Sequence, residues 1–86
     1  MKIVFDINGC LDNSFRAMNF YKLFSTLEDW EIYIHSNCGI NYVKNFIKET
    51  GLEAIPKTKD DKSIYYDIAV DDCENIENAK LTIIIK

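Results

Sequence analysis

The sequence is poor in the features that mark several protein classes. One proline, three glycines and three cysteines in 86 residues exclude collagen-like chains and disulfide-rich scaffolds. No apolar run approaches the ~18 residues of a membrane-spanning helix, and the N-terminal run is too short for a signal peptide. With 10 basic against 14 acidic residues, the net charge of -4 disfavours nucleic-acid binding. We therefore expect a cytoplasmic protein with no membrane segment.

The three cysteines show no pairing pattern. Cys10, Cys38 and Cys73 are an odd number, and no C-x-x-C pair is present. This favours free thiols in a reducing compartment over a disulfide framework. Small packing residues are the simplest interpretation, and a site for a soft metal such as Zn²⁺ is the alternative.

Apolar residues make up 48% of the chain and aromatic residues 13%, which is enough for a globular core. The length predicts one domain over residues 1–86. Strand-like apolar runs alternate with segments of helical period. The main predicted elements are a strand at 2–6, a helix from Asn13 or Ser14 to Leu27, a strand at 30–36, a helix at 40–50, and strands at 52–56, 67–71 and 81–86. Two short helices are predicted near 58–61 and at 74–79.

This alternation predicts an α/β fold, specifically a three-layer Rossmann-like sandwich. Right-handed crossovers allow five parallel strands in the spatial order 5-4-1-2-3. Ligands of such sheets bind beyond the carboxyl ends of the strands, so residues at those ends are candidate site residues. The last strand would leave an apolar edge, at which we expect a homodimer or another partner.

Polar side chains stand at three of the predicted strand ends. Asp6 ends the first strand, Ser36 and Asn37 follow the second, and Asp71 and Asp72 end the fourth. Three neighbouring carboxylates repel one another unless a cation is present, and hard oxygen ligands suit Mg²⁺. A serine can donate to a phosphoryl oxygen, and Asp6 is a candidate nucleophile for an aspartyl-phosphate.

These residues occur in the order of the motifs of the haloacid dehalogenase-like superfamily, which the sequence resembles over about residues 2–73. The first motif matches "DINGCL" from Asp6, the second matches Ser36 in "IYIHSN", and the fourth matches Asp71-Asp72. The lysine of the third motif is best placed at Lys62, in "KSIYYDIAVDD". Lys57 and Lys59 are the alternatives.

The resemblance implies a Mg²⁺-dependent phosphatase or phosphotransferase. Asp6 would be the nucleophile and a metal ligand, and the main-chain carbonyl of Asn8 would also face the metal. Asp71 and Asp72 would complete the metal site. Ser36 and Lys62 would bind the transferred phosphoryl group, and Asn37 would contribute to substrate binding.

Two departures from the family pattern weaken this expectation. The family's phosphatases usually carry Asp at the position of Asn8, where it moves protons, and an amide cannot do this. Only 29 residues (36 − 6 − 1) separate Asp6 from Ser36, so no cap domain fits. We therefore expect weak activity in an open site that admits a bulky phosphorylated substrate.

Other interpretations stay open. The same fold could be a non-catalytic module that binds Mg²⁺, a phosphorylated ligand or a protein. A receiver domain also uses Asp, Ser or Thr, and Lys, but its acidic pair lies on the first strand. The candidate residues could also have ordinary roles, as turn, cap or solvated surface residues. His35 is interpreted as a packed strand residue, because it lies next to Ser36 and would point away from it.

Overall fold

A computed structural model describes residues 1–72 and 75–85 of the chain; Cys73, Glu74 and Lys86 lie outside the described residues. Within these ranges the chain forms five strands and two helices. In chain order they are β1 (Lys2–Asp6), α1 (Phe15–Ser25), β2 (Glu31–Ser36), α2 (Ile40–Thr50), β3 (Ile55–Thr58), β4 (Tyr66–Asp71) and β5 (Ala79–Ile84). A wide turn over Ile7–Leu11 follows β1.

The five strands form one parallel sheet in the order β3-β2-β1-β4-β5. This confirms the predicted α/β fold and strand order. β1 lies in the centre, where Val4 pairs with Tyr33 on one side and Ala69 on the other. A central strand is covered on both faces, which explains why the run from Ile3 to Phe5 is continuously apolar and fully buried.

Both helices pack on one face of the sheet. Ala17 and Tyr21 of α1 and Val43 of α2 share a buried cluster with residues of β1, β2 and β4. The Ser14 hydroxyl caps α1 by accepting from the Ala17 N–H, which decides between the two predicted cap residues, Asn13 and Ser14. Gly51 ends α2 with a φ of 73°, a left-handed conformation that glycine adopts without strain.

The opposite face is covered by the connections from β3 to β4 and from β4 to β5, and their described residues, 59–65, 72 and 75–78, form no helix. Residues 59–65 contain no helix, and the Thr58 hydroxyl donates to the Asp60 carboxylate at the turn that begins this segment. The helix predicted near 58–61 is therefore absent. The described part of the segment 74–79 is also not helical. Ile76 of this segment packs against Val4 and Tyr66 and covers the sheet without a helix.

The edge strands are shifted from their predicted positions. β3 begins at Ile55 rather than at residue 52, because only Ile55–Thr58 pairs with β2. Its proline, Pro56, is tolerated because β3 is an edge strand. β5 begins at Ala79, where its pairing with Tyr66 starts, and its predicted last residue, Lys86, lies outside the described residues. Neither helix of the described chain has the length and apolar character needed to cross a membrane.

Candidate functional site

A cavity of about 290 Å³ lies at the carboxyl ends of the strands. This is the edge of a parallel sheet at which ligands bind in other α/β proteins. Its lining residues come from the ends of β1 and β2 and from the segments that follow β1, β2, β3 and β4: Asp6, Asn8, Ser36, Asn37, Cys38, Lys59 and Asp72. Larger cavities exist, and one of them also contains Asp72, but only the cavity of about 290 Å³ brings Asp6, Lys59 and Asp72 together among the cavities of the described chain.

Three carboxylates meet at this edge. Each of Asp6, Asp71 and Asp72 offers one oxygen, and these oxygens lie within 4.8 Å of one another. Asp6 and Asp71 are buried, and Asp72 is half-buried. Oxygen ligands at this spacing on a partly open edge fit a hard divalent cation such as Mg²⁺. The three candidate carboxylate ligands predicted from the sequence are thus brought together.

A lysine partly neutralises the three carboxylates. The Lys59 ammonium lies 2.8 Å from Asp71 Oδ2 and 3.3 Å from Asp6 Oδ1. β3 positions it, because the Lys59 N–H donates to the Ser36 carbonyl and extends the pairing with β2. The lysine at this site is therefore Lys59, one of the two alternatives to Lys62 in the sequence analysis.

The other two candidate lysines are engaged elsewhere. The Lys62 ammonium donates to the main-chain carbonyl of Lys59 at 2.9 Å, in an exposed position. The Lys57 ammonium lies 3.7 Å from Asp61. Neither lysine lines the cavity that contains Asp6. The structure thus does not bring Lys62, the preferred candidate of the sequence analysis, to the carboxylates.

The Asp6 carboxyl is held in a mixed electrostatic environment. The pKa of Asp6 is raised to about 6, chiefly by burial; the Lys59 ammonium lowers it, and the negative charges of Asp71 and Asp72 contribute to raising it. A cation bound here would offset much of the repulsion that destabilises the ionised Asp6 carboxylate. The raised pKa is therefore consistent with an edge that accommodates a positively charged ligand.

The turn after β1 brings the backbone close to the carboxylates. The Asp12 N–H donates to the Ile7 carbonyl at 3.1 Å and closes this turn. Gly9 has a φ of 74°, and a Cβ at this position would overlap the Asp72 carboxylate. Only glycine satisfies both constraints, which explains the glycine that follows Asn8.

The side chain of Asn8 contacts one residue of α2 and one residue of the loop that precedes it. Its Oδ1 accepts a hydrogen bond from the Tyr42 hydroxyl at 3.0 Å, and its Nδ2 lies 4.0 Å from Cys38 Sγ. Sequence reasoning did not identify Tyr42 or Cys38 as neighbours of Asn8. Their position in the sequence could have indicated this contact, since both residues lie within six positions of Ser36, beyond the carboxyl end of β2.

Ser36 is buried at the base of the cavity. Its Oγ accepts a hydrogen bond from the Cys38 N–H at 3.1 Å, which leaves the hydroxyl proton for another acceptor. Asn37 lies beside it and also lines the cavity. The candidate substrate-binding residues Ser36 and Asn37 therefore both line the cavity.

His35 is a packed strand residue, as the sequence predicted. Its side chain is 2% exposed, and its ring lies edge-on to Tyr66, with centroids 6.2 Å apart. The pKa of His35 is lowered to about 4, chiefly by burial and also by the nearby charge of Lys59. The imidazole is therefore neutral at ordinary pH and does not face the candidate site as a base.

The described cysteines do not form a metal site. Cys10 is fully buried, its thiol donates to the Val70 carbonyl, and burial raises its pKa to about 12. Cys38 is exposed at the rim of the cavity. The group of candidate metal ligands that the described residues form consists of carboxylates. The third cysteine, Cys73, lies outside the described residues.

The sequence matches no protein-family model, and comparisons with curated proteins and with solved structures give no significant match.

Proposed function

We propose that this protein catalyses Mg²⁺-dependent phosphoryl transfer through an aspartyl-phosphate on Asp6, in the manner of the haloacid dehalogenase-like enzymes that its motifs resemble. One observation carries the proposal. Asp6 stands beside two further carboxylates and the Lys59 ammonium at the ligand-binding edge of a parallel sheet. This combination supplies a nucleophile, a cation site and a positive charge within one cavity.

Each residue has a defined task in this proposal. Asp6, Asp71 and Asp72 would hold Mg²⁺, which would neutralise charge on the phosphoryl oxygens. The Asp6 carboxylate attacks phosphorus, the bond to the leaving-group oxygen breaks, and the phosphoryl group becomes an acyl phosphate. Ser36 donates its free hydroxyl proton to a phosphoryl oxygen. Lys59 takes the role of the third-motif lysine, because Lys62 lies away from the carboxylates.

Position 8 limits the rate. An amide neither protonates a leaving group nor deprotonates water, and such proton transfer typically contributes about 10²–10⁴-fold. Leaving groups that depart without a proton suffer least in the first step. Hydrolysis of the acyl phosphate is slow because water is not activated. We therefore expect weak turnover and an accumulating intermediate.

A non-catalytic module on the same fold is the second candidate, and the contacts of Asn8 favour it. The Asn8 amide is already bonded to Tyr42, as expected of a structural or ligand-contacting residue. Such a module would bind Mg²⁺ and a phosphorylated ligand or protein at the same cavity without turnover.

Phosphoryl capture separates the two candidates. The protein is incubated with Mg²⁺ and acetyl phosphate or an aryl phosphate, quenched in acid, and measured by intact mass and peptide mapping. The catalytic proposal expects a phosphoryl group on Asp6, absent in Asp6→Asn and without Mg²⁺. Binding of Mg²⁺ and orthophosphate by calorimetry, with no phosphorylated Asp6, would instead support the non-catalytic module.

The site's surroundings suit a large substrate and a reducing compartment. Between β1 and β2 the described chain contains only the Ile7–Leu11 turn, α1 and short loops, none of which forms a cap domain. A bulky phosphorylated substrate is therefore part of the proposal. A cytoplasmic location is another part, because Cys10 and Cys38 are free thiols.

The β5 edge is the proposed contact for a second copy. Leu81 is 54% exposed and Ile84 is 38% exposed on this edge strand. Unpaired edge strands with apolar side chains favour strand addition. Light scattering at high concentration should show a dimer, and Leu81→Lys should shift it to monomer. A monomer at all concentrations would exclude self-association.

A further inference from the structure

Asn8 and Gly9 form an Asn-Gly pair in the turn after β1, with Asn8 exposed and Gly9 half-buried. In such pairs the main-chain nitrogen of the glycine can attack the asparagine side-chain amide, because no Cβ hinders its approach. The geometry points to Asn8 as a site of spontaneous deamidation in the folded protein, restrained by Asp12. The conversion does not depend on the proposed function, although its effect on turnover does.

The reaction balances with water as the other reactant. The Gly9 nitrogen attacks Asn8 Cγ, loses its proton and forms a cyclic imide, and the side-chain nitrogen leaves as ammonia. Water then opens the imide at one of its two carbonyls. Opening at one carbonyl gives Asp at position 8, and opening at the other gives the isoaspartyl linkage.

One contact of Asn8 favours the attack. The Tyr42 hydroxyl donates to Asn8 Oδ1 at 3.0 Å. This bond draws electron density from the amide carbon and strengthens as negative charge develops on that oxygen. The leaving nitrogen has only a long contact, 4.0 Å, with Cys38 Sγ. The amide is thus polarised and its nitrogen is weakly held.

One contact of Gly9 restrains the attack. Asn8 has a ψ of 124°, an extended value, so the peptide between Asn8 and Gly9 must rotate before the ring closes. Gly9 tolerates this rotation because it lacks a Cβ. The rotation breaks the hydrogen bond from the Gly9 N–H to Asp12 Oδ1, which measures 2.9 Å. Asp12 therefore slows ring closure by holding the Gly9 N–H in place, and we call this hydrogen bond the latch.

The product changes the chemistry of the candidate site. An Asp at position 8 adds a carboxylate to a cavity that Asp6 and Asp72 already line. It also introduces a group that can carry a proton where the present amide cannot. Conversion would therefore raise the activity of any phosphoryl transfer at Asp6, whereas the isoaspartyl form would lengthen the backbone and disturb the turn.

Mass spectrometry of the folded protein tests this inference. The protein is held in neutral buffer at 37 °C, and peptide fragmentation locates the mass gain of Asp over Asn. Other asparagines are internal controls, because larger residues follow them: Asn13, Asn37 and Asn41. Asn8→Gln is the matched negative control, since its longer side chain cannot close the same ring.

Two variants test the latch. Asp12→Ala should convert about fivefold faster than the wild type, the equivalent of one net hydrogen bond of about 1 kcal/mol. Asp12→Asn, which keeps an oxygen acceptor, should stay near the wild-type rate. Equal rates in wild type and Asp12→Ala would contradict the latch.

Measurement on the wild-type protein alone decides whether Asn8 is a deamidation site. We expect Asn8 to convert ahead of the other asparagines in the folded protein. No product at position 8, over a period in which the urea-unfolded chain converts fully, would overturn the inference. Conversion measured by mass without any gain in phosphatase turnover would leave the deamidation site intact and count against the proposed function instead.

Discussion

The ammonium of Lys59 lies 2.8 Å from a carboxylate oxygen of the fully buried Asp71. This ion pair joins the segment after β3 to the end of β4, across the strands that carry Asp6 and Ser36. It places one positive charge among three carboxylates, so the edge remains negative before any cation binds. The pair is therefore both a structural link across the sheet and part of the candidate site.

The first prediction concerns this lysine. Lys59→Ala should lower the free energy of unfolding by about 3 kcal/mol, because it removes the positive charge that lies against the buried carboxylates of Asp6 and Asp71. Lys62→Ala is the matched control, since its ammonium bonds only an exposed main-chain carbonyl in the described structure, and it should change stability little. Urea unfolding measures both. A larger loss in Lys62→Ala than in Lys59→Ala would contradict the assignment.

The second prediction concerns Mg²⁺. Binding only to the folded protein stabilises it by about 2.7 kcal/mol at a hundredfold excess over Kd, so Mg²⁺ should raise Tm. Asp72→Ala should abolish the rise, because it removes a carboxylate from the cation site. Asp29→Ala, an exposed change remote from the cavity, should keep it. The same Mg²⁺ response in Asp72→Ala would place the metal elsewhere.

The third prediction concerns pH in the metal-free protein. The pKa of Asp6 is raised to about 6 from 3.8, so the folded state holds the Asp6 proton more tightly than the unfolded chain does. The stability that Asp6 contributes is complete below about pH 4 and is lost as pH rises through 6, up to about 3 kcal/mol. The difference between wild-type and Asp6→Asn unfolding curves across this window measures it. A difference that stays constant with pH would argue against the raised pKa.

Much of the fold could be predicted because it depends on local patterns. Short stretches of sequence are enough to predict the apolar run of β1, a cap at Asn13 or Ser14, and the helix end at Gly51. The strand order follows from right-handed crossovers between consecutive strands. The carboxylates converge because parallel strands end at one edge of a sheet.

The choice of lysine could not be made from the sequence. Lys57, Lys59 and Lys62 stand close together in a charged segment with no periodicity. The backbone path decides among them, since β3 continues to Thr58 and delivers the next residue, Lys59, to the strand end. The described residues 75–79 are not helical for a similar reason, since the position of Ile76 depends on its packing against the sheet and not on a local pattern.

The central claim is that Asp6 accepts a phosphoryl group and that Asn8 limits its turnover. The most direct measurement is steady-state hydrolysis of an aryl phosphate with Mg²⁺ by the wild type, Asn8→Asp and Asn8→Asp with Asp6→Asn. We expect a gain of about 10²-fold or more in Asn8→Asp, because a proton carrier returns, and its loss in the double variant. No turnover in Asn8→Asp, with Mg²⁺ bound, would contradict phosphoryl transfer at Asp6.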